Sequence, residues 1–141
     1  MSVEENKALI RRLNDEVWNK ANFSLIPELV SPAYRYLDRV RGHEGYKEMV
    51  LRQLVPFPDL HCTVDELVGE DDTIVAVVTR TGTFTGKFGD VDPTGNRVSI
   101  TEVLFYRFAD GKLVQTKGYY DRLSFFQQMG IAPPGYELTK K

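Results

Sequence analysis

The sequence predicts an α+β fold in which N-terminal helices pack on one face of a strongly curved antiparallel sheet. Helical periodicity dominates the first third of the 141-residue chain, and strand patterns follow it without a linker. Asp110-Gly111, between two alternating runs, is a strong hairpin signal because both central residues of a type I′ turn need positive φ. Helices followed by a strand meander are typical of the α+β class, and the length suits one domain, residues 1–141.

The first helix is predicted over residues 3–20. Ser2 and Glu5 are spaced to form a capping box, in which each side chain accepts a hydrogen bond from the other residue's backbone N–H. Apolar residues then recur at the helical period, at Leu9, Ile10, Leu13 and Val17. This pattern predicts an amphipathic helix with one face in the core.

The remaining elements follow from shorter patterns. Two further helices are predicted over residues 23–30 and about 44–54, with a short strand from Tyr34 to Asp38 between them. Pro56 and Pro58 then force extended chain. Alternating and β-branched runs predict strands near 60–68, 73–85, 97–108 and 112–121, before a short terminal helix.

Composition excludes several classes of partner. The net charge is −2 without a basic block, which argues against nucleic acid or an anionic membrane as the main partner. No apolar run is long enough to span a bilayer, and no signal-peptide pattern is present. The single Cys62 excludes an internal disulfide and favours a reducing compartment, so we expect a cytoplasmic protein. No His/Cys/Asp spacing resembles a metal site.

The predicted hairpin brings polar side chains together. If the Asp-Gly dipeptide forms the turn and the pairing is unbroken, Glu102 lies opposite Tyr119 and Leu104 lies opposite Lys117. Lys117, Tyr119, Asp121 and Glu102 then share one face of the sheet. Two carboxylates, an ammonium and a phenol on one covered face indicate a site rather than a solvated surface.

The sequence resembles the SnoaL-like polyketide cyclases over nearly its whole length, in an ordered series of stretches: EVWNK at 16–20, FPDL at 57–60, GTFTG at 82–86, PTG at 93–95, YR at 106–107, DGKLV at 110–114, Asp121, and QQMG at 127–130. The resemblance implies the nuclear transport factor two-like cone, in which helices and a curved sheet enclose a pocket, and a dimer. It also implies a small-molecule substrate and no metal or organic cofactor. Asp121 matches the general acid/base of the family's aldol closure.

An aldol closure suits a carboxylate in an apolar pocket, which removes a proton next to a carbonyl while the pocket stabilises the oxyanion.

The chain departs from the family at three places. Lys117 stands where the family often has Trp, Phe84 replaces a His, and residues 97–108 contain no His. These departures bear on the reaction rather than on the fold.

Each candidate residue also has a structural interpretation. Asp121 could cap the terminal helix, and Lys117 could extend into solvent or pair with a carboxylate. Arg80 comes near Glu102 in simple antiparallel register, and a partly buried ion pair is often structural. With Asp121 and Lys117 as catalytic candidates, the predicted substrate contacts are Glu102, Tyr119, Arg80, Trp18 and Phe57.

Two function classes remain open. One is a cofactor-independent enzyme that acts on a small, largely apolar carbonyl compound by acid/base chemistry, as aldol closure or isomerisation. The other is a non-catalytic small-molecule-binding or dimeric scaffold protein of the same fold. A homodimer is expected through the outer face of the hairpin, where the predicted facing leaves an apolar patch of Val103, Phe105, Val114 and Tyr120.

Overall fold

The computed structural model describes residues 1–131, so residues 132–141 of the predicted domain lie outside the described part. The helices are α1 (Val3–Arg12), α2 (Ile26–Leu29), α3 (Gly42–Leu54) and α4 (Arg122–Met129). Helix α1 continues as a π-helical stretch (Leu13–Trp18), and a 3₁₀ turn (Phe23–Leu25) precedes α2. The strands are β1 (Val30–Tyr36), β2 (Arg39–Val40), β3 (His61–Glu70), β4 (Thr73–Thr83), β5 (Arg97–Ala109) and β6 (Lys112–Tyr120). No helix among the described residues is long and apolar enough to cross a membrane.

The capping box predicted at the start of α1 is confirmed. The Glu5 backbone N–H donates to Ser2 Oγ at 3.1 Å, and the Ser2 N–H donates to Glu5 Oε1 at 3.0 Å. The helix ends near the predicted boundary, but its last turns widen into the π-helical stretch. There the side chains of Asn14 and Asn19 both donate to the Cys62 carbonyl oxygen at 2.9 Å. These bonds fix the end of the first helix against β3.

The strands form one six-stranded sheet in the order β2-β1-β6-β5-β4-β3. The four long strands, β3 to β6, are antiparallel to one another, as predicted, whereas β1 runs parallel to β6. Strand β1 also begins at Val30 rather than at Tyr34. It includes Pro32, which has no N–H to donate, and its pairing with β6 is interrupted between Val30 and Arg35. The sheet is curled but does not close into a barrel.

The β5–β6 hairpin has the predicted turn but not the predicted register. Asp110 and Gly111 have φ angles of 53° and 78°, as a type I′ turn requires. Phe108 pairs with Leu113, yet Arg107 pairs with Gln115, so Val114 is an extra residue in β6. This bulge shifts all later pairs by one residue.

The bulge makes the predicted facing of the hairpin wrong. Glu102 lies opposite Tyr120 rather than Tyr119, and Leu104 lies opposite Gly118 rather than Lys117. A shift of one residue moves a strand's side chains to the other face of the sheet. Lys117 and Tyr119 therefore lie on the face opposite Glu102.

Two buried clusters form the core. The larger joins α1, α3 and the sheet, and includes Leu13, Val17 and Tyr46. The smaller joins Phe57 and Phe84 to the aromatic side chains of α4. Side chains of both clusters line a single cavity, so the cavity lies where the two clusters meet.

Candidate functional site

A cavity of about 250 Å³ lies between α3, the end of the first helix and the inner face of the sheet. Eight aromatic side chains contribute to its wall, and the polar groups on it come mainly from β1 and β4 to β6. Of the predicted site residues, the structure brings Arg80, Glu102, Trp18 and Phe57 to this cavity. An apolar enclosure with a few convergent polar groups is the usual form of a small-molecule site.

Arg80 and Glu102 form an ion pair in the cavity wall. They lie diagonally on the inner faces of β4 and β5, and Arg80 Nε donates to Glu102 Oε1 at 2.8 Å. Their side chains are only 13% and 10% exposed. A charge buried to this extent needs a partner of opposite sign, so the pair stabilises both groups in the wall.

Further contacts hold the Arg80 guanidinium in place. Its Cζ lies 4.3 Å from the centroid of the Trp18 ring, and Nη1 donates to Cys62 Sγ at 3.4 Å. Burial alone would lower the pKa of Arg80, but the adjacent Cys62 and Glu102 raise it above its usual value. Burial also raises the pKa of the Cys62 thiol. Arg80 is thus a fixed cation beside a neutral thiol.

The second oxygen of Glu102 lies over Gly118, on the neighbouring strand. A Cβ atom at residue 118 would be 2.6 Å from Glu102 Oε2 and 3.0 Å from Tyr36 Oη. The missing side chain therefore makes room for the carboxylate oxygen and the phenol in the same part of the cavity. Arg80 bonds to Oε1, so Oε2 is the oxygen directed toward this space.

Five tyrosine side chains line the cavity. Trp18 Nε1 donates to Tyr46 Oη at 2.9 Å, which orients one of them. Burial raises the pKa of each cavity-lining tyrosine, namely Tyr34, Tyr36, Tyr46, Tyr106 and Tyr120. These hydroxyls are therefore neutral at physiological pH and can donate hydrogen bonds to a ligand.

Three polar atoms in the cavity wall are buried without a hydrogen-bond partner among residues 1–131: Tyr34 Oη, Thr116 Oγ1 and Arg41 Nε. Burial raises the pKa of Tyr34, and the neighbouring Thr116 hydroxyl lowers it by less; the two hydroxyls lie close together, but their geometry is outside that of a hydrogen bond. The Arg41 backbone N–H donates to the Tyr34 carbonyl oxygen at 2.8 Å, which brings Arg41 beside Tyr34. Most buried polar groups in proteins have partners, so three such atoms in one wall are unusual.

The other predicted site residues lie elsewhere. Asp121 is exposed at the N-cap of α4, where its Oδ1 accepts from the Ser124 N–H at 2.9 Å. Lys117 and Tyr119 are on the outer face because of the bulge, and Tyr119 is 56% exposed. The sequence reasoning missed Thr116 and Tyr120, which share the inner face with Gly118 once Val114 is counted as a bulge.

No group of three or more His, Cys, Asp or Glu side chains within residues 1–131 is placed to hold a metal ion. The polar groups on the cavity wall are one carboxylate, three guanidinium groups (Arg41, Arg52 and Arg80), one amide and several neutral hydroxyls. Such a set can bind and polarise a carbonyl compound, or remove and return a proton.

Comparison with known proteins agrees with the geometry. The sequence profile of the SnoaL-like polyketide cyclases matches residues 8–129. The chain belongs to this family. The resemblance found in the sequence motifs is thereby confirmed, and so is the predicted fold class.

Solved structures of other proteins are similar to this SnoaL-like chain. AclR of Streptomyces galilaeus, named as a candidate hydroxylase, is 30% identical, with a TM-score of 0.79 over 94% of this chain and 89% of its own. TsrD of Streptomyces laurentii is 25% identical, with a TM-score of 0.85 over 94% and 99%. A candidate SnoaL-like polyketide cyclase from Jannaschia sp. CCS1 is 24% identical, with a TM-score of 0.82 over 92% and 94%, and shows the fold alone.

A comparison with curated proteins gave no match. Membership of the family supports an enzyme or binder of small molecules, and AclR, at 30% identity, is named as a candidate hydroxylase. The reaction has to be argued from the cavity of this chain.

Proposed function

We propose that this protein is a cofactor-independent enzyme that acts on a small, largely apolar carbonyl compound, with Glu102 as its general base. The observation that carries the proposal is the second oxygen of Glu102, which lies over Gly118 beside the Tyr36 hydroxyl while Arg80 holds the first oxygen. A base must be fixed in place and must also have an oxygen available to the substrate. The contact with Arg80 fixes Glu102, and because Glu102 lines the cavity, Oε2 is the oxygen that we assign to the substrate.

The reaction would begin when Oε2 of Glu102 takes a proton from the carbon next to the substrate carbonyl. The C–H electron pair then forms the carbon–carbon double bond of an enolate, and negative charge moves to the carbonyl oxygen. Neutral tyrosine hydroxyls on the wall, Tyr36 among them, supply hydrogen bonds to that oxygen. The apolar wall excludes water, which strengthens these hydrogen bonds.

The enolate can react further in either of two ways, and both reactions balance in atoms and charge. Its carbon can attack a second carbonyl of the same molecule, and the resulting alkoxide takes the proton back from Glu102, which is an aldol closure. Alternatively, Glu102 returns the proton to a different carbon, which is an isomerisation. Arg80 does not touch the reacting atoms in either case; it is a positioning residue for the carboxylate.

Proton abstraction can be tested without knowing the natural substrate. β-Tetralone, a bicyclic ketone, exchanges its acidic protons for deuterium in D₂O, and nuclear magnetic resonance measures the rate. We expect the wild-type protein to accelerate this exchange and Glu102→Gln to lower the acceleration on the order of a hundred- to ten-thousand-fold. The isosteric Asp121→Asn variant tests the residue that the family resemblance points to.

The two carboxylate variants separate the candidates. Loss of exchange in Glu102→Gln with retention in Asp121→Asn supports the proposal. Loss in Asp121→Asn with retention in Glu102→Gln would transfer the base to Asp121, which would then have to leave its N-cap position. Thermal unfolding of both variants provides the control for folding.

A non-catalytic binder is the second candidate function. The observation in its favour is that the Arg80–Glu102 pair, packed under Trp18, also serves as a buried structural pair in the wall. In that case β-tetralone would bind, as judged by quenching of Trp18 fluorescence, and deuterium exchange would stay at the uncatalysed rate.

A further inference from the structure

The unpartnered hydroxyls of Tyr34 and Thr116 lie in a different part of the cavity wall from the carboxylate oxygen, and the Arg41 backbone is bonded to that of Tyr34. Thr116 and Gly118 are two residues apart on β6, so both face the cavity, and their positions along the strand differ by roughly 7 Å. Glu102 Oε2 lies over Gly118, whereas the Thr116 hydroxyl lies near Tyr34. The cavity therefore has two separate polar positions.

Folding alone gives no reason for hydroxyls at these positions. Tyr34 is completely buried and Thr116 is 4% exposed, and neither hydroxyl bonds to another of residues 1–131. Phenylalanine and valine have nearly the same shapes and would avoid the cost of burying an unpaired hydroxyl. Polar atoms that cost stability and face a cavity are expected where a ligand supplies their partner.

We propose that Tyr34, Thr116 and Arg41 form a second polar subsite, which binds an oxygen substituent of the substrate on the side away from the reacting carbonyl. This inference rests on the proposed function and narrows the substrate class. Hydroxyls both donate and accept, and the Arg41 N–H donates, so a phenolic hydroxyl or a ring carbonyl oxygen suits the three groups. The substrate would be a ring compound that carries a second oxygen substituent at the end of the ring away from the reacting carbonyl.

Three simple ketones test the subsite by calorimetric titration. Acetophenone carries the carbonyl alone, para-hydroxyacetophenone adds a hydroxyl at the opposite end of the ring, and para-methylacetophenone adds a methyl group of similar size. We expect the hydroxyl compound to bind wild-type protein about five- to tenfold more tightly than either of the others, as one hydrogen bond in a buried site would allow.

Variants assign this preference to the subsite. Tyr34→Phe and Thr116→Val should remove the advantage of the hydroxyl compound and leave the affinity for para-methylacetophenone unchanged. Thr116→Ser, which retains the hydroxyl, should retain the advantage. Both hydroxyl deletions should also unfold at the same or a higher denaturant concentration than wild type, since each removes an unpaired buried group.

The outcomes separate this inference from the proposed function. If all three ketones bind wild type with equal affinity, the subsite is refuted and the proposed base is untouched. The same holds if the preference persists in both deletion variants. If none of the ketones binds, the carbonyl-binding cavity itself is refuted, and the subsite with it.

Discussion

The glycine at position 118 determines where two neighbouring side chains of the candidate site can lie. A Cβ atom there would lie 2.6 Å from Glu102 Oε2, inside the distance at which atoms repel. The same position is 3.0 Å from Tyr36 Oη, so neither group could keep its place. The absence of a side chain at residue 118 thus allows the carboxylate of Glu102 and the hydroxyl of Tyr36 to lie close together.

We therefore expect Gly118→Ala to lower the deuterium exchange of β-tetralone by about a hundredfold, because a displacement of about 1 Å can cost that much in rate. Ketone binding and the unfolding midpoint should change much less, since the rest of the wall is unaltered. An exchange rate equal to that of wild type would show that Glu102 does not act from the position over Gly118.

At the scale of elements, sequence reasoning succeeded where the signal is local. The capping box of Ser2 and Glu5 and the Asp110-Gly111 turn were both predicted, since a few neighbouring residues determine each of them. Strand β1 was placed too late in the chain, since it begins at Val30 and contains Pro32. A proline is tolerated there because the β1–β6 pairing is interrupted around it.

The candidate site was predicted only in part, for a physical reason. Arg80, Glu102, Trp18 and Phe57 all line the cavity. Arg80 lies near Glu102 because of the β4–β5 pairing, which the bulge in β6 does not affect. Lys117 and Tyr119 were placed on the wrong face since an extra residue at Val114 leaves no mark in the alternation of polar and apolar residues. Because side chains alternate between the two faces of a strand, a register error of one residue places every later side chain on the wrong face.

The bulge yields a prediction of its own. Deletion of Val114 would remove the extra residue and leave every later pair of the hairpin unchanged. Deletion of both Val114 and Gln115 would instead shift the later residues by one pair, which brings Lys117 and Tyr119 to the cavity and turns Thr116 and Tyr120 outward. A lysine ammonium in this wall lacks the partners that a buried charge needs, so we expect the double deletion to lose the cooperative thermal transition and the single deletion to keep it. A normal transition in the double deletion, or its loss in the single deletion, would contradict the assigned role of the bulge.

Across the whole molecule, the buried tyrosines link stability to pH. Burial raises the pKa of Tyr34, Tyr46 and Tyr106 above the ordinary value of 10.0. The folded state then holds these protons more tightly than the unfolded state does. Their contribution to stability is complete below pH 10 and is lost as the pH rises above it.

Tyrosinate absorbance measures this effect. In the folded protein we expect these three hydroxyls to stay protonated at about pH 11, while in concentrated urea all tyrosines titrate near their ordinary pKa of about 10. Tyr34→Phe should remove one of the late-titrating groups. Identical titration curves for folded and unfolded protein would show that these side chains are not buried as described.

The last prediction is a homodimer that forms through the outer face of the sheet. The bulge changes which residues of the hairpin lie on that face. Tyr120 lines the cavity, and Tyr119 takes its place outside, where its ring lies 6.3 Å from that of Phe105 in an edge-to-face contact. These side chains are 56% and 41% exposed, and the pairing of β4 to β6 places Val75, Val77 and Val103 around them. A continuous apolar patch of this kind is rarely left in water, so we expect it to be covered by a second copy of the chain.

Light scattering should give the mass of a dimer at micromolar protein. The Phe105→Glu variant should give the mass of a monomer, because each copy would then bring a negative charge into the apolar interface. Val40→Glu, a change at an exposed residue of β2 outside this patch, should leave the dimer intact. A monomeric wild type, or a Phe105→Glu dimer, would place the interface elsewhere or remove it.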